Sequence, residues 1–267
     1  MTEPCQPPSA QQMMATVATH QTCGPGIHLL ELTCAAALPA IAPGQFAFLR
    51  PRHGDIFLRR PLGVHEAEGT RLRLLFDVVG RGTAALAAVQ PGQELDLLLP
   101  LGHPFEIPPP PALPVLVAGG LGLPPLHFLA RQLHAAQRPF RMLYGARTAA
   151  RLVLADDLAA LCPQLRLFTD DGSAGEHAQI TAGLADLPPQ AHLLVCGPTP
   201  MMRAVASAAA QAGLACQVSL EERMACGLGV CMGCVCRTRK ADGQEGRARV
   251  CVEGPVFPAQ EVLWDSP

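Results

Sequence analysis

Ile107-Pro-Pro-Pro-Pro-Ala-Leu-Pro114 separates two different textures of sequence. Proline fixes its own φ and has no N–H, so this run cannot continue a helix or a central strand and reads as a stiff spacer between domains. Before it, from about Met13, short β-like runs are punctuated by turn signals at Pro43-Gly44, His53-Gly54, Glu68-Gly69, Pro91-Gly92 and Gly102. Gln45 to Arg50 and Arg71 to Phe76 alternate apolar and polar residues at strand length. Residues 11–107 are therefore expected to form a small antiparallel β-barrel. After the spacer, Val115 to Ala118 reads as a strand, Gly119-Gly-Leu-Gly122 as a turn, and Leu123 to Ala136 as a helix. The strand signal returns at residues 141–145, 165–168 and 191–196. This alternation predicts a parallel sheet covered by helices, an α/β domain over residues 113–215. Residues 216–264 form a C-terminal lobe.

That lobe holds Cys226-Gly-Leu-Gly-Val-Cys231-Met-Gly-Cys234, and Cys251 follows after sixteen residues. The first part, C-x4-C-x2-C, has the spacing with which plant-type ferredoxins hold a [2Fe–2S] cluster. The expected role is single-electron transfer. Such a cluster carries a charge of about −2, so its loop must bring backbone N–H groups close to sulfur, and Gly227, Gly229 and Gly233 leave room for that. Two other readings of the cysteines fit less well. Structural zinc more often uses two C-x2-C pairs, and only one is present. A disulfide framework belongs to small stapled domains, unlike a 267-residue chain with 11 cysteines. Cys236 competes with Cys251 for the fourth ligand position; the reading adopted is Cys226, Cys231, Cys234 and Cys251 as metal ligands and Cys236 as a free thiol.

The chain is 49% hydrophobic and 16% charged, enough apolar material for two or three packed units. No run of eighteen apolar residues predicts a membrane span. Met1-Thr-Glu-Pro-Cys-Gln-Pro-Pro lacks the basic start and apolar core of a secretory signal, which makes a reducing cytoplasm the expected compartment. With a net charge of −2, no basic stripe, one Trp and one Tyr, nucleic acid is a poor partner.

Arg59-Arg60-Pro61-Leu62-Gly63 and Val79-Gly80-Arg81-Gly82-Thr83 combine guanidinium groups with a helix start, which suits a pyrophosphate. Val115 to Pro125 is a strand running into a glycine turn, where a nucleotide would sit at the carboxyl ends of a parallel sheet. Asp170-Asp171-Gly172-Ser173 follows another strand and reads either as a ribose contact or as a plain turn with Ser173 capping a helix. Arg147 and Arg151 also follow a strand and leave a preference for NADP open.

Arg60-Pro-Leu-Gly63, Gly82-Thr83, Gly119-Gly-Leu-Gly-Leu-Pro-Pro125, Cys196-Gly-Pro-Thr-Pro-Met201 and Leu220-Glu-Glu-Arg-Met-Ala-Cys-Gly-Leu-Gly-Val-Cys231 occur in this order. Together they resemble the electron-transfer subunit of the NAD-linked, two-subunit class of dihydroorotate dehydrogenase, within the ferredoxin–NADP reductase-like superfamily. The resemblance runs from about Met13 to Trp264. It implies a barrel that binds FAD, an α/β domain that receives NAD and a lobe that holds a [2Fe–2S] cluster. It further implies an FMN-containing dihydroorotate dehydrogenase catalytic subunit as partner, in a heterotetramer with two of each chain. Arg60, Pro61, Leu62 and Gly63 would line the flavin, with Leu75, Phe76 and Asp77 beside it and Gly82 and Thr83 at its pyrophosphate. Gly119, Gly120, Gly122, Cys196, Gly197 and Pro198 complete the implied cofactor contacts. The resemblance assigns no general base for dihydroorotate to this chain, because that chemistry belongs to the partner. Two positions depart from the pattern. Gly63 stands where related reductases often have serine, and Asp77 where they are often basic, with Arg81 the nearest candidate to offset its charge. A sister reductase serving another acceptor, such as a sulfide dehydrogenase or hydrogenase-associated subunit, and a non-redox zinc module are the alternative functions. Oxygenase reductases fit less well, because their plant-type cluster has a longer gap before the fourth cysteine.

Overall fold

A computed structural model describes residues 10–52, 55–239 and 242–264. The His53-Gly54 turn signal and the N-terminal octapeptide lie outside the described residues.

Six strands close the barrel: β1 (Gln11–Gly24), β2 (Ile27–Cys34), β3 (Phe46–Pro51), β4 (Arg60–Glu68), β5 (Arg71–Asp77) and β6 (Glu94–Leu101), in the order β1-β2-β5-β4-β3-β6, all antiparallel. Closure leaves no free sheet edge. Alternate residues Leu30 and Leu32, Leu72 and Leu74, and Leu95, Leu97 and Leu99 face the interior and are fully buried. Each such leucine contributes about 1.5–3 kcal/mol of burial free energy. A short helix, α1 (Arg81–Ala87), joins β5 to β6 and places Leu86 in that core.

The α/β domain contains β7 (Leu113–Gly119), α2 (Leu123–Ala135), β8 (Arg141–Ala146), α3 (Ala155–Leu161), β9 (Leu165–Thr169), β10 (Glu176–His177), β11 (Ala191–Cys196), α4 (Thr199–Gln211) and β12 (Ala215–Ser219). Its sheet runs β10-β9-β8-β7-β11-β12 in parallel, so the direction of winding changes between β7 and β11. That change opens a crevice at the carboxyl ends of the strands, where α/β sheets bind ligands. The proline-rich spacer ends inside β7, because Pro114 is already in register with His192. The strand tolerates this proline because pairing with β8 starts one residue later, at Val115.

The lobe contributes a hairpin, β13 (Val235–Arg239) with β14 (Glu245–Arg249), and a last strand, β15 (Val256–Pro258). β15 adds antiparallel to β12 and becomes the edge of the α/β sheet. Among the described residues, no helix is long and apolar enough to cross a membrane.

The barrel and the α/β domain meet along β4 and α2. His65 stacks on His127 with centroids 4.0 Å apart, and Glu66 pairs with Arg73 at 3.4 Å and with Arg131 of α2 at 3.3 Å. Burial, reinforced by the facing imidazole and by Arg73 and Arg131, holds His65 well below its ordinary pKa, and burial brings His127 down to about 4. In the unfolded chain both rings take a proton near pH 6.5. The seam is therefore fully stable above that pH and weakens as pH falls, by about 3 kcal/mol for His127 alone once pH approaches 4. Melting temperatures measured from about pH 7.5 to about pH 4.5 should fall steeply, and His127→Phe should flatten the decline. A parallel decline in the variant would show that other groups set the acid limit.

Candidate functional site

Arg60, Pro61, Leu62 and Gly63 of β4 and Leu75, Phe76 and Asp77 of β5 form one wall of a cavity of about 330 Å³. The opposite wall comes from Pro124 and Pro125 at the start of α2, Cys196 of β11, and the segment Ser219 to Glu222 with Met224. All three units of the chain thus contribute to one cavity. Its apolar lining suits a flat ring system, and Arg60 with Thr83 supplies polarity at one end. The Arg60 guanidinium donates to the carbonyls of Leu58 at 2.7 Å and Arg59 at 3.2 Å. It crosses the start of α1 so closely that a Cβ on Gly82 would overlap its Nε. Glycine at position 82 is thus what lets the cation lie over the helix start. The first intrahelical bond is from Ala84 N–H to Gly80 O, which leaves the earlier N–H groups of that turn without helical partners. Thr83 Oγ1 braces the turn by accepting from Val79 N–H at 2.9 Å and Gly80 N–H at 3.2 Å. This pairing of a cation, helix amides and an apolar slot fits a flavin with a pyrophosphate.

A Cβ on Gly63 would come within 3.3 Å of Pro125 Cδ, so α2 packs closely on β4 at this position. Asp77 pairs with Arg151 of the α/β domain, rather than with Arg81, and Arg151 also donates to Pro25 O at 3.0 Å. The acid at position 77 is thus neutralised across the domain seam. Neighbouring Arg59 is a structural residue, bound to Asp96 at 2.6 Å.

A second cavity, of about 930 Å³, lies over the carboxyl ends of β7, β8, β9 and β11. Gly119, Gly120 and Gly122 line it from β7, Arg147, Thr148 and Arg151 from β8, Asp170 from β9, and Gly197 and Pro198 from β11. The tetrapeptide after β9 divides its tasks. Asp170 faces the cavity, whereas Asp171 accepts from Ser173 N–H at 3.0 Å in a local turn. Ser173 caps no helix of its own; its hydroxyl accepts from Ala149 N–H at 2.7 Å and steadies the segment that carries Arg151. Cys196 lines the first cavity and not this one.

The cysteine loop starts two residues after Met224, a lining residue of the first cavity. Two residues of chain span at most about 7 Å. Cys226 Sγ accepts from the N–H groups of Leu228 and Cys231, each at 3.4 Å, and Cys231 Sγ accepts from Gly233 N–H at 3.4 Å. Gly227 and Gly229 hold φ of 69° and 76°, which produces this inward-facing turn. Burial alone would raise the Cys226 thiol, but those N–H groups and the Cys231 side chain bring it down to about 6. Burial, with contact from Cys234, pushes Cys251 up to about 12. The thiols thus associate in twos, Cys226 with Cys231 and Cys234 with Cys251. A two-iron cluster requires two thiolates on each iron, which fits this arrangement. Among the described residues no group of three His, Cys, Asp or Glu is arranged for a single metal ion, and every described cysteine is a free thiol.

Two family models match the chain. The iron-sulfur cluster binding domain of dihydroorotate dehydrogenase B matches residues 221–263, and the oxidoreductase NAD-binding domain matches residues 116–207. The dihydroorotate dehydrogenase B (NAD(+)) electron transfer subunit of Desulforamulus reducens is 34% identical over 90% of this chain and 94% of its own length. That of Enterococcus faecalis is 33% identical over 95% of this chain and 98% of its own length. The chain belongs to this family. A homolog from Aquifex aeolicus is 38% identical over 85% of the chain and 88% of its own length. Among solved structures, the NADH-dependent reduced ferredoxin-NADP oxidoreductase aligns with a TM-score of 0.81 and 26% identity, over 99% of this chain and 92% of that one. The ferredoxin reductase of carbazole 1,9a-dioxygenase, 21% identical with a TM-score of 0.69 over 79% of this chain and 68% of that one, shares the fold.

For a dihydroorotate dehydrogenase B electron transfer subunit, Cys236 sits in an instructive place. It is half-buried on β13 opposite Ala248, and burial, with Glu222 nearby, pushes its thiol up to about 11. Cys236→Ser should leave the cluster's visible absorption unchanged within error; loss of that absorption would make Cys236 a ligand. Leu121, Ser219 and Glu221 also line the cavities; the sequence gives Glu221 away only by its place after an apolar strand, just before the cysteine loop.

Proposed function

We propose that this chain carries electrons from the FMN of a dihydroorotate-oxidising catalytic subunit, through a [2Fe–2S] cluster on Cys226, Cys231, Cys234 and Cys251 and an FAD in the barrel cavity, to NAD+. The flavin-binding barrel of residues 11–107, the NAD-binding domain of residues 113–215 and the cluster lobe of residues 216–264 divide the work. The observation that carries this reading is the convergence of all three units on one cavity, with the cysteine loop starting two residues from its wall. Nicotinamide exchanges two electrons as hydride and an iron–sulfur cluster takes one at a time, so a bound flavin supplies the stage that splits the pair. Arg60, Gly82 and Thr83 hold the pyrophosphate end, Leu75, Phe76 and Leu62 exclude water from the ring, and the glycine turn after β7 receives the dinucleotide. The pathway served is pyrimidine biosynthesis, the assembly is a heterotetramer with two of each subunit, and the compartment is the cytoplasm.

Reconstitution tests the reading. Purified chain, mixed with an FMN-containing dihydroorotate-oxidising subunit, should couple orotate formation to NAD+ reduction in a one-to-one ratio. A mixture that oxidises dihydroorotate with a dye but leaves NAD+ untouched, although this chain holds flavin and cluster, would overturn it.

A further inference from the structure

His65 is an extra residue in β4. Val64 pairs with Leu74 of β5 and Glu66 with the adjacent Arg73, so the strand bulges at position 65. Regular alternation would send one of two successive side chains into the barrel. The bulge instead turns both His65 and Glu66 toward α2, while Val64 stays in the barrel core. On α2 they meet two residues one turn apart, which share a helix face. His127 lies against the His65 ring, 4.0 Å between centroids and 18° from parallel, and Arg131 reaches Glu66 at 3.3 Å. Two contacts on one face fix both the rotation of the helix and its slide along the strand. Stability alone does not call for such a seam. His65 and His127 are buried, and among the described residues the Nδ1 atom of neither has a hydrogen-bond partner. Two apolar side chains would cover the same area without that penalty. What the four groups add is a defined register between strand and helix.

Both elements run directly from this contact to the cofactor cavities. Gly63, two residues before His65, and Pro125, two residues before His127, line the first cavity. The turn Gly119 to Gly122, which leads into α2, lines the second. A slide of α2 on β4 would therefore carry that turn along the flavin wall. None of the four groups lines either cavity. Hydride transfer needs its reacting atoms about 3–3.5 Å apart, and a misplacement of about 1 Å can slow a reaction about a hundredfold. We propose that His65, Glu66, His127 and Arg131 form a positioning clamp that holds the nucleotide-receiving turn at hydride-transfer distance from the flavin wall, with no contact to either cofactor. This inference rests on the functional reading above and adds to it the residues that set the spacing of its two cofactor sites.

Anaerobic stopped-flow mixing of the flavin-loaded chain with NADH separates spacing from affinity, because the limiting rate of flavin bleaching reports transfer and the half-saturating concentration reports binding. His127→Ala should lower the limiting rate at least about tenfold and remove the long-wavelength charge-transfer absorbance of the flavin–nicotinamide complex, while flavin content and NADH affinity change less than about twofold. His127→Phe keeps a flat ring against His65 and should retain both rate and band within about threefold. Arg131→Met alters a half-exposed side chain, so it should fold as wild type does and still slow transfer about threefold. An unchanged limiting rate and band in Arg131→Met, or in a folded His127→Ala, would overturn the clamp and leave the electron-transfer reading intact. A loss confined to flavin content or NADH affinity would do the same, since it would make these residues merely structural. A wild-type chain that holds flavin but is not bleached by NADH would overturn both.

Discussion

Cys231→Ser should abolish the iron–sulfur absorption bands and reduce electron exchange with the catalytic partner at least about a hundredfold, because the proposed ligand set then loses one thiolate outright. NADH oxidation through the flavin by an artificial two-electron acceptor should stay within about twofold, since that reaction needs only hydride transfer and a flavin. The reasoning starts from the loop. Cys231 is exposed, and its N–H and side chain both point at Cys226 Sγ, so it belongs to one thiol pair and its backbone also stabilises the partner thiolate. Serine keeps that backbone and the fold but offers a hard oxygen ligand with a far higher pKa. Visible and paramagnetic resonance spectra of the dithionite-treated variant provide the measurement. An intact cluster signal would remove Cys231 from the ligand set.

Arg60→Ala should release the flavin. The guanidinium lies over α1's first turn, and loss of a charge-assisted contact to phosphate costs about 2–3 kcal/mol, which is roughly 30- to 150-fold in affinity. Gel filtration followed by the ratio of flavin to protein absorbance reads this directly. The melting temperature of the flavin-free chain should change little, because Arg60 makes its two hydrogen bonds to carbonyls of its own loop. Unchanged flavin content would mean that Arg60 serves only to order residues 58–60.

Much of this architecture is local and therefore legible in the sequence. The alternation in Arg71 to Phe76 and the glycine turn before Leu123 lead straight to β5 and α2. The cysteine spacing, too, is a short-range pattern, and it marks where the lobe must fold. What the sequence hides is long-range pairing. Asp77 meets Arg151 across 74 positions, and neither residue's neighbours announce the other. The histidine stack joins residues 65 and 127, which lie 62 positions apart and share no local pattern. β15 is three residues long and gains its identity only by pairing with β12. Glu221 carries only a local hint, its place just after an apolar strand, because a junction between two cavities has no signature until both are formed.

The placement of β15 limits how the molecule can move. Its backbone bonds to β12 anchor the redox lobe to the nucleotide-binding half like a rivet through two plates. Swinging the lobe away would require tearing a sheet margin, so the same backbone pairing that completes the sheet also keeps the cysteine loop beside the first cavity.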